Sequence, residues 1–330
     1  MDFPRRVLGI FAAHRGHYYL LGMVASLVTV GSRKETEMDK WTPLNVKGLL
    51  KITTISMLMV SIAYTPLMAS GHGPVFGFTT PTNSRGGWSL DLGLMGRAGA
   101  GSNGNMMRAM LGYGITEDIQ ISLTTPYVFS SGSFAPSRTT SMMSATADNE
   151  AIGSWRFHRR GTDVGTRVES TGYAGLILPG AQRPSGMMGT LKRAPGVFTA
   201  VATGVASRSH YVWGGVGLTT FAENDGDRRP NLLSYSFVWG YRPPALRKDY
   251  PEWDWRLFAE MTGENSARIR RAGHPMPGTG GHQVFLGPTA LGIYKNYAIE
   301  GGIQFPVYRD VGSNFQREKF RYAINFSYFF

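Results

Sequence analysis

Asp91, Arg108, Arg156, His158, Arg167, Glu169, Arg256, Glu260, Glu300, Lys319 and Arg321 fall within segments whose alternate positions are apolar. Successive side chains of a β-strand point to opposite faces. These groups therefore share the face turned away from the greasy one. Charges enclosed by protein must pair or meet water. The set thus lines either a hydrated passage or a closed core of ion pairs. Arg167 with Glu169, and Arg256 with Glu260, stand close enough along their segments to join such networks. The sequence leaves both roles open.

Other residues with chemical potential read more plainly. Gly99-Ala100-Gly101-Ser102-Asn103-Gly104 matches G-x-G-x-x-G. A dinucleotide site needs a helix next and an acidic residue about 20 positions on. Here alternation resumes and Thr124 stands at that distance, so the segment reads as a hairpin loop. Thr116-Glu117-Asp118 reads as a tight turn, not a catalytic acid pair. After residue 70 the histidines are His72, His158, His210, His274 and His282. None sits two residues before a serine, as in outer-membrane barrel lipases. Adjacent Ser209 and His210 would leave opposite faces of a strand. Met106, Met107, Met142, Met143, Met187, Met188, Met276, His274 and His282 lie in or beside long connections. Thioether and imidazole suit Cu(I), but methionines also pad irregular contacts. The reading assigns no catalytic residue, no cofactor and no metal site.

The elements that position these groups are strands. Only 17% of residues are charged, against roughly 25% in soluble domains. The 43 glycines and 12% aromatics suit short turns and interfacial aromatic girdles. There is no cysteine, and the net charge is +12. Arg156 to Arg160 is the one dense basic run after residue 70, which argues against a nucleic-acid partner. Period-two alternation predicts about twelve strands, near 87–97, 105–115, 118–129, 151–160, 166–178, 196–208, 210–222, 230–242, 252–264, 282–293, 295–306 and 319–330. Connections alternate short (116–117, 161–165, 209, 294, with 243–251 longer) and long (98–104, 130–150, 179–195, 223–229, 265–281, 307–318). An antiparallel up-and-down transmembrane β-barrel has that asymmetry. In hydrocarbon it must close, because each unpaired backbone group costs several kcal/mol.

Upstream, Lys40, Lys47 and Lys51 precede an apolar stretch from Ile52 to Ala63, then Pro66 and a small-residue exit at Ala69. Residues 38–69 read as a signal peptide. Residues 1–37 are expected to be an extension from an early start site, or an extra leader. Residues 70–86, rich in Gly, Pro and Thr, form either a periplasmic segment or a lumen plug. The barrel proper is expected over 87–330.

The last strand carries an unbroken apolar face, Phe320, Tyr322, Ile324, Phe326, Tyr328 and Phe330. Its final members, Phe326, Tyr328 and Phe330, resemble the C-terminal signal that barrel-assembly machinery reads. The stretches GPVFGFTTPTNSRGGWSLDLGLMGR (73–97), GYGITEDIQISLTTPYVF (112–129) and WRFHRRGTDVGTRVESTGYAGLILP (155–179) resemble the porin-like outer-membrane transporter family labelled for the meta-pathway of phenol degradation. The resemblance would cover residues 73–330 and implies architecture more than chemistry. It implies a channel for small organic solutes, hydrophobic or aromatic ones among them, in a Gram-negative outer membrane. The expected partners are membrane lipid, lipopolysaccharide, the assembly machinery and the solute. The alternatives are a closed barrel whose loops bind metal or lipopolysaccharide and, more remotely, a membrane hydrolase.

Overall fold

The computed structural model describes residues 73–99, 103–129, 147–162, 165–182, 187–314 and 317–330. The predicted signal peptide, the extension before it and Met142-Met143 lie outside these residues.

The period-two segments form strands where expected: β1 (Trp88–Gly99), β2 (Asn103–Gly114), β3 (Ile119–Val128), β4 (Asn149–Gly161), β5 (Arg167–Leu178), β6 (Gly196–Ala206), β7 (His210–Phe221), β8 (Leu232–Tyr241) and β9 (Asp254–Ser266). A two-residue pair, β10 (Arg270–Arg271) and β11 (His274–Pro275), interrupts the next connection. Then come β12 (Gly281–Tyr294), β13 (Tyr297–Val311) and β14 (Glu318–Phe329). A four-residue helix, α1 (Met187–Thr190), sits between β5 and β6. The twelve long strands each pair antiparallel with their neighbours, and β14 returns to β1. Leu90 faces Tyr328 and Leu94 faces Ile324 across this closing ladder. A closed barrel leaves no sheet edge to template further pairing.

The faces sort by polarity. Leu92, Leu123, Leu176, Leu233, Phe237 and Ile324 are exposed on the outside. Ser89, Asp91, Thr171, Glu260, Gln304 and Asn325 are buried on the inside. That is the reverse of a water-soluble barrel, where exposed positions carry the polar groups. A twelve-residue strand at ~3.3 Å per residue spans ~40 Å, enough to cross a bilayer at a tilt. Tight connections gather at one end, at 115–118, 162–166, 207–209 and 295–296, with 242–253 longer. The chain termini of the barrel, Trp88 and Phe330, meet at that end through reciprocal hydrogen bonds, Trp88 N–H to Phe330 O (2.8 Å) and Phe330 N–H to Trp88 O (3.1 Å). The other end carries the long connections. The first of these is shorter than expected, because β1 and β2 extend to Gly99 and Asn103. The G-x-G-x-x-G match is therefore a β-hairpin, with Gly99 in one strand and Gly104 in the next.

Candidate functional site in the barrel lumen

The segment from Gly73 to Gly87 runs inside the barrel. It enters from the tight-turn end, where Gly86 N–H bonds Gly114 O at 2.7 Å. Val75, Phe76, Phe78, Thr80, Thr82 and Asn83 are all buried. Glycine- and threonine-rich chain forms no regular element here, so its backbone groups must find partners on the wall. They do. The Glu260 carboxylate accepts the amides of Val75 (2.8 Å), Phe76 (2.7 Å) and Gly77 (2.8 Å), and Thr289 also donates to it. Phe78 N–H bonds Ser236 Oγ at 2.8 Å. Tyr173 donates its hydroxyl to Thr79 O, and Thr171 Oγ1 donates to Thr80 O at 2.7 Å. Asn83 N–H reaches Gln120 Oε1 at 2.7 Å.

The Phe78 ring enters a slot that the wall opens by omitting side chains. A Cβ on Gly215 would stand 2.5 Å from Phe78 Cβ, and one on Gly217 would stand 2.9 Å from its ring. Phe78 stacks on Phe198 with centroids 6.4 Å apart and joins Ile152, Tyr173, Ile177, Ala202 and Phe221 in one buried cluster. Between the segment and the wall lies a void of about 60 Å³, bordered by Thr79, Asn83, Asp91, Gln120 and Tyr173. That holds about two waters at ~30 Å³ each and no larger solute.

The opposite half of the lumen is ionic. Arg321, fully buried, bonds Glu264 (2.6 and 3.1 Å) and Glu318 (2.5 and 3.2 Å), and its guanidinium lies 3.6 Å over the Phe285 ring. Asn325 Nδ2 donates to Glu300 at 2.8 Å, and Ser327 donates to Asp91. Arg108 is buried on the same face. At the tight-turn mouth Arg156 bonds the Asp118 carboxylate at 2.9 Å and Glu117 O at 2.7 Å. It also lies 3.5 Å from Glu169, which Arg167 approaches at 3.8 Å. Thus Asp118 braces an arginine, while Thr116 Oγ1 accepts the Ile119 amide at 2.9 Å within the turn. Arg256 lies 3.4 Å from Asp254 and 5.3 Å from the Tyr211 ring centroid. It does not pair with Glu260, which binds the N-terminal segment instead.

Two residues leave the inward set, each at a ladder irregularity. Arg156 opposes Thr171, but His158 opposes Ser170. The extra residue Phe157 reverses the alternation, so His158 is exposed beside the outward Ser170, and Arg159 takes the inward place opposite Glu169. At the other end Gly99 opposes Glu318 and Ala98 opposes Phe320. Lys319 is skipped and exposed, and Glu318 takes the buried position. Glu318 is thus an inward acid that alternation alone misplaces, while Glu150, Asp254 and Glu264 are buried acids that the predicted set omitted. Glu264 is the last residue of the predicted 252–264 strand, and Glu318 sits one residue before the predicted 319–330 strand.

At the long-connection end, Asp148 is buried between Arg193 and Arg229. Arg193 also bonds Gly180 O (2.9 Å) and Gln182 O (2.6 Å). Asp227 accepts the Lys192 amide at 2.9 Å and the Ala272 amide at 3.0 Å. Those amides hold its carboxyl below the usual aspartate range. The Asp225 carboxylate, bonded to Lys192, pushes that ammonium up.

The soft-ligand residues do not converge among the described residues. Met107 is exposed outside, Met106 packs inside near Val75, and Met276 packs on Leu191 and Ile269. His282 Nε2 lies 2.8 Å from Tyr235 Oη. His210 sits beside Trp239 and Tyr241, and Ser207 Oγ, not Ser209, accepts its amide at 3.0 Å.

No protein-family model matches the chain, and no curated protein does either. The resemblance to the phenol meta-pathway family therefore rests on the three segments that suggest it. Among solved structures the chain is similar to the NanC porin (11% identity, TM-score 0.43, 72% of this chain and 98% of that one). It is similar to the KdgM porin (10%, 0.40, 73% and 98%). It is also similar to LpxR from Salmonella typhimurium (8%, 0.40, 73% and 100%). At these values the likenesses carry no argument about function, and the barrel rests on its own strand ladder.

Proposed function

We propose that this protein is a gated channel of a Gram-negative outer membrane for small organic solutes, closed by its own Gly73–Gly87 segment. It performs no covalent chemistry. One observation carries the reading: the segment fills the lumen yet adds no strand to the barrel, being held by side chains of the wall. Its withdrawal leaves the sheet ladder whole. The wall charges also pair among themselves, with Arg321 on Glu264 and Glu318, so an emptied lumen exposes a neutralised, hydratable surface. The aromatic half around Phe198 and Phe221, together with the family resemblance, supports hydrophobic or aromatic solutes. The apolar exterior supports contact with lipid. The tight turns face the periplasm and the long connections face lipopolysaccharide. The face ending at Phe330 supports delivery by the barrel-assembly machinery.

A second reading has its own support. The Asp148, Arg193 and Arg229 cluster ties long connections together at the outer end, as in a closed, surface-binding barrel. Planar-bilayer recordings decide between them. The intact chain is expected to show rare, small steps, and a variant lacking residues 73–86 large, frequent ones. A folded deletion variant that stays silent would favour the closed barrel.

A further inference from the structure

The β3–β4 ladder stops early. It runs from Ile119 opposite Trp155 to Thr124 opposite Glu150, although β3 continues to Val128. If it continued, Thr125, Pro126 and Tyr127 would meet Asn149, Asp148 and Ala147. Instead the chain turns inward, where Arg193 and Arg229 hold Asp148 fully buried. Pro126 has no amide hydrogen to donate to a ladder. Beyond it, among the described residues, a side chain takes the place of the ladder. The Gln182 carboxamide accepts the Val128 amide at 2.7 Å and donates to Val128 O at 3.3 Å.

We propose that this divergence is a lateral portal, through which uncharged lipophilic solutes pass between the lumen and the outer leaflet. The idea rests on the channel reading and names the route and solute class. Irregular backbone at membrane depth is tolerated where protein or a cavity receives it, and a single amide clip is easier to open than a strand ladder. Apolar side chains border the divergence on both sides. Outside, Tyr127, Phe129, Leu176 and Leu178 are exposed. Inside, the flanking strands contribute Ile152 and Ile177 to the buried cluster that holds Phe78. The charged groups at the inner end, Asp148 with Arg193 and Arg229, are paired with one another, so an uncharged solute passes without breaking an ion pair.

The chain has no cysteine, which leaves a clean background for bridging Thr125→Cys and Asn149→Cys with a short, reducible bis-thiol reagent. Full-length protein in liposomes is assayed for transfer of N-phenyl-1-naphthylamine and, in parallel, for potassium chloride conductance. Bridging is expected to lower probe transfer at least fivefold, reversibly with reductant, and to leave ion steps unchanged. Gln182→Leu is expected to raise probe transfer several-fold. Probe transfer unaffected by bridging would overturn the portal and leave the channel standing. Equal loss of both signals would also overturn it, since one axial route would then serve both. If unbridged protein showed neither signal, the channel reading would fall and the portal with it.

Discussion

Glu260 on β9 accepts the Phe76 amide at 2.7 Å, across 184 residues of sequence. The two neighbouring amides converge on the same carboxylate, so one side chain anchors the Gly73–Gly87 segment. Hydrogen bonds to charged groups contribute about 1.5–3 kcal/mol each. Glu260→Gln keeps the shape but replaces one acceptor by an N–H group facing donors. The segment should then leave the lumen far more often. Chymotrypsin cleavage at Phe76 and Phe78 of refolded protein should accelerate by about tenfold or more, since 1.4 kcal/mol is a factor of ten. An unchanged cleavage rate would show that the carboxylate is not the anchor.

The slot for Phe78 gives an independent handle on the same segment. A methyl at Gly217 would press on the Phe78 ring tip, while Phe78→Ala would leave the slot empty, at a cost of about 3–5 kcal/mol if the segment stays docked. Each single variant is expected to loosen the segment. The pair Gly217→Ala with Phe78→Ala should recover part of the loss, because the new methyl takes space vacated by the ring tip, 2.9 Å away in the parent. Trp213 reports docking, since its indole N–H bonds Thr80 Oγ1 at 3.2 Å. Its fluorescence should shift red in both single variants and return partway in the double. A double variant as red as the sum of the two would refute the steric account.

Much of this was readable in advance for a physical reason. A wall between lipid and a polar interior forces strict alternation, so the strands and the inward faces of Asp91, Glu260, Glu300 and Arg321 follow from periodicity. His158 and Lys319 were misplaced because a bulge shifts the phase by one residue and leaves no mark in composition. The closing segment was legible only as two alternatives. Glycine, proline and threonine suit a tether as well as a plug, and Glu260, which binds the segment's amides, lies on a strand far along the chain. Gln182 carried no signal, because its role exists only where β3 outruns β4.

Arg321 should dominate the stability of the ionic half. Arg321→Met would leave the buried Glu264 carboxylate without Arg321 and leave Glu318 to Arg97, and breaking a buried pair costs about 3–5 kcal/mol. Urea unfolding in detergent micelles should show a lower midpoint. Adding Glu264→Gln alone should restore much of it, because Glu318 keeps Arg97 at 3.3 Å. A double variant weaker than the single would mean that the charges themselves stabilise the barrel.

The outer connections should respond to acid through Asp227. Its carboxyl is held low in the folded protein, chiefly by the Lys192 amide and then by that of Ala272. A depressed folded value means that the contribution is complete above the ordinary aspartate value of ~3.9 and is lost as pH falls through the folded one. Exchange of the Lys192 and Ala272 amides should therefore stay slow at neutral pH and speed up only in strong acid, beyond the ordinary acceleration or slowing of amide exchange with pH. Asp227→Asn should expose the Lys192 amide at pH 7. Loss of protection in the parent near pH 6 would contradict this assignment.

Trp88 and Phe330 close the barrel at the tight-turn end, and the outward ring of Phe330 stacks beside Trp88 (centroids 6.5 Å) and Tyr328 (5.4 Å). Phe330→Ala keeps the backbone pair and removes only the ring, whereas deleting Tyr328 to Phe330 also removes ladder bonds to Trp88, Ser89 and Leu90. If the terminal aromatics serve mainly as an address for assembly, Phe330→Ala should sharply reduce the heat-modifiable, membrane-inserted form in cells. The same variant should then refold in detergent with nearly normal yield. If they serve mainly as mortar for the closing seam, both yields should fall together. The sequence of apolar positions from Phe320 to Phe330 continues well beyond what closure of the last few pairs requires, which favours the address. The variant should therefore split the two yields, measured by gel mobility with and without heating.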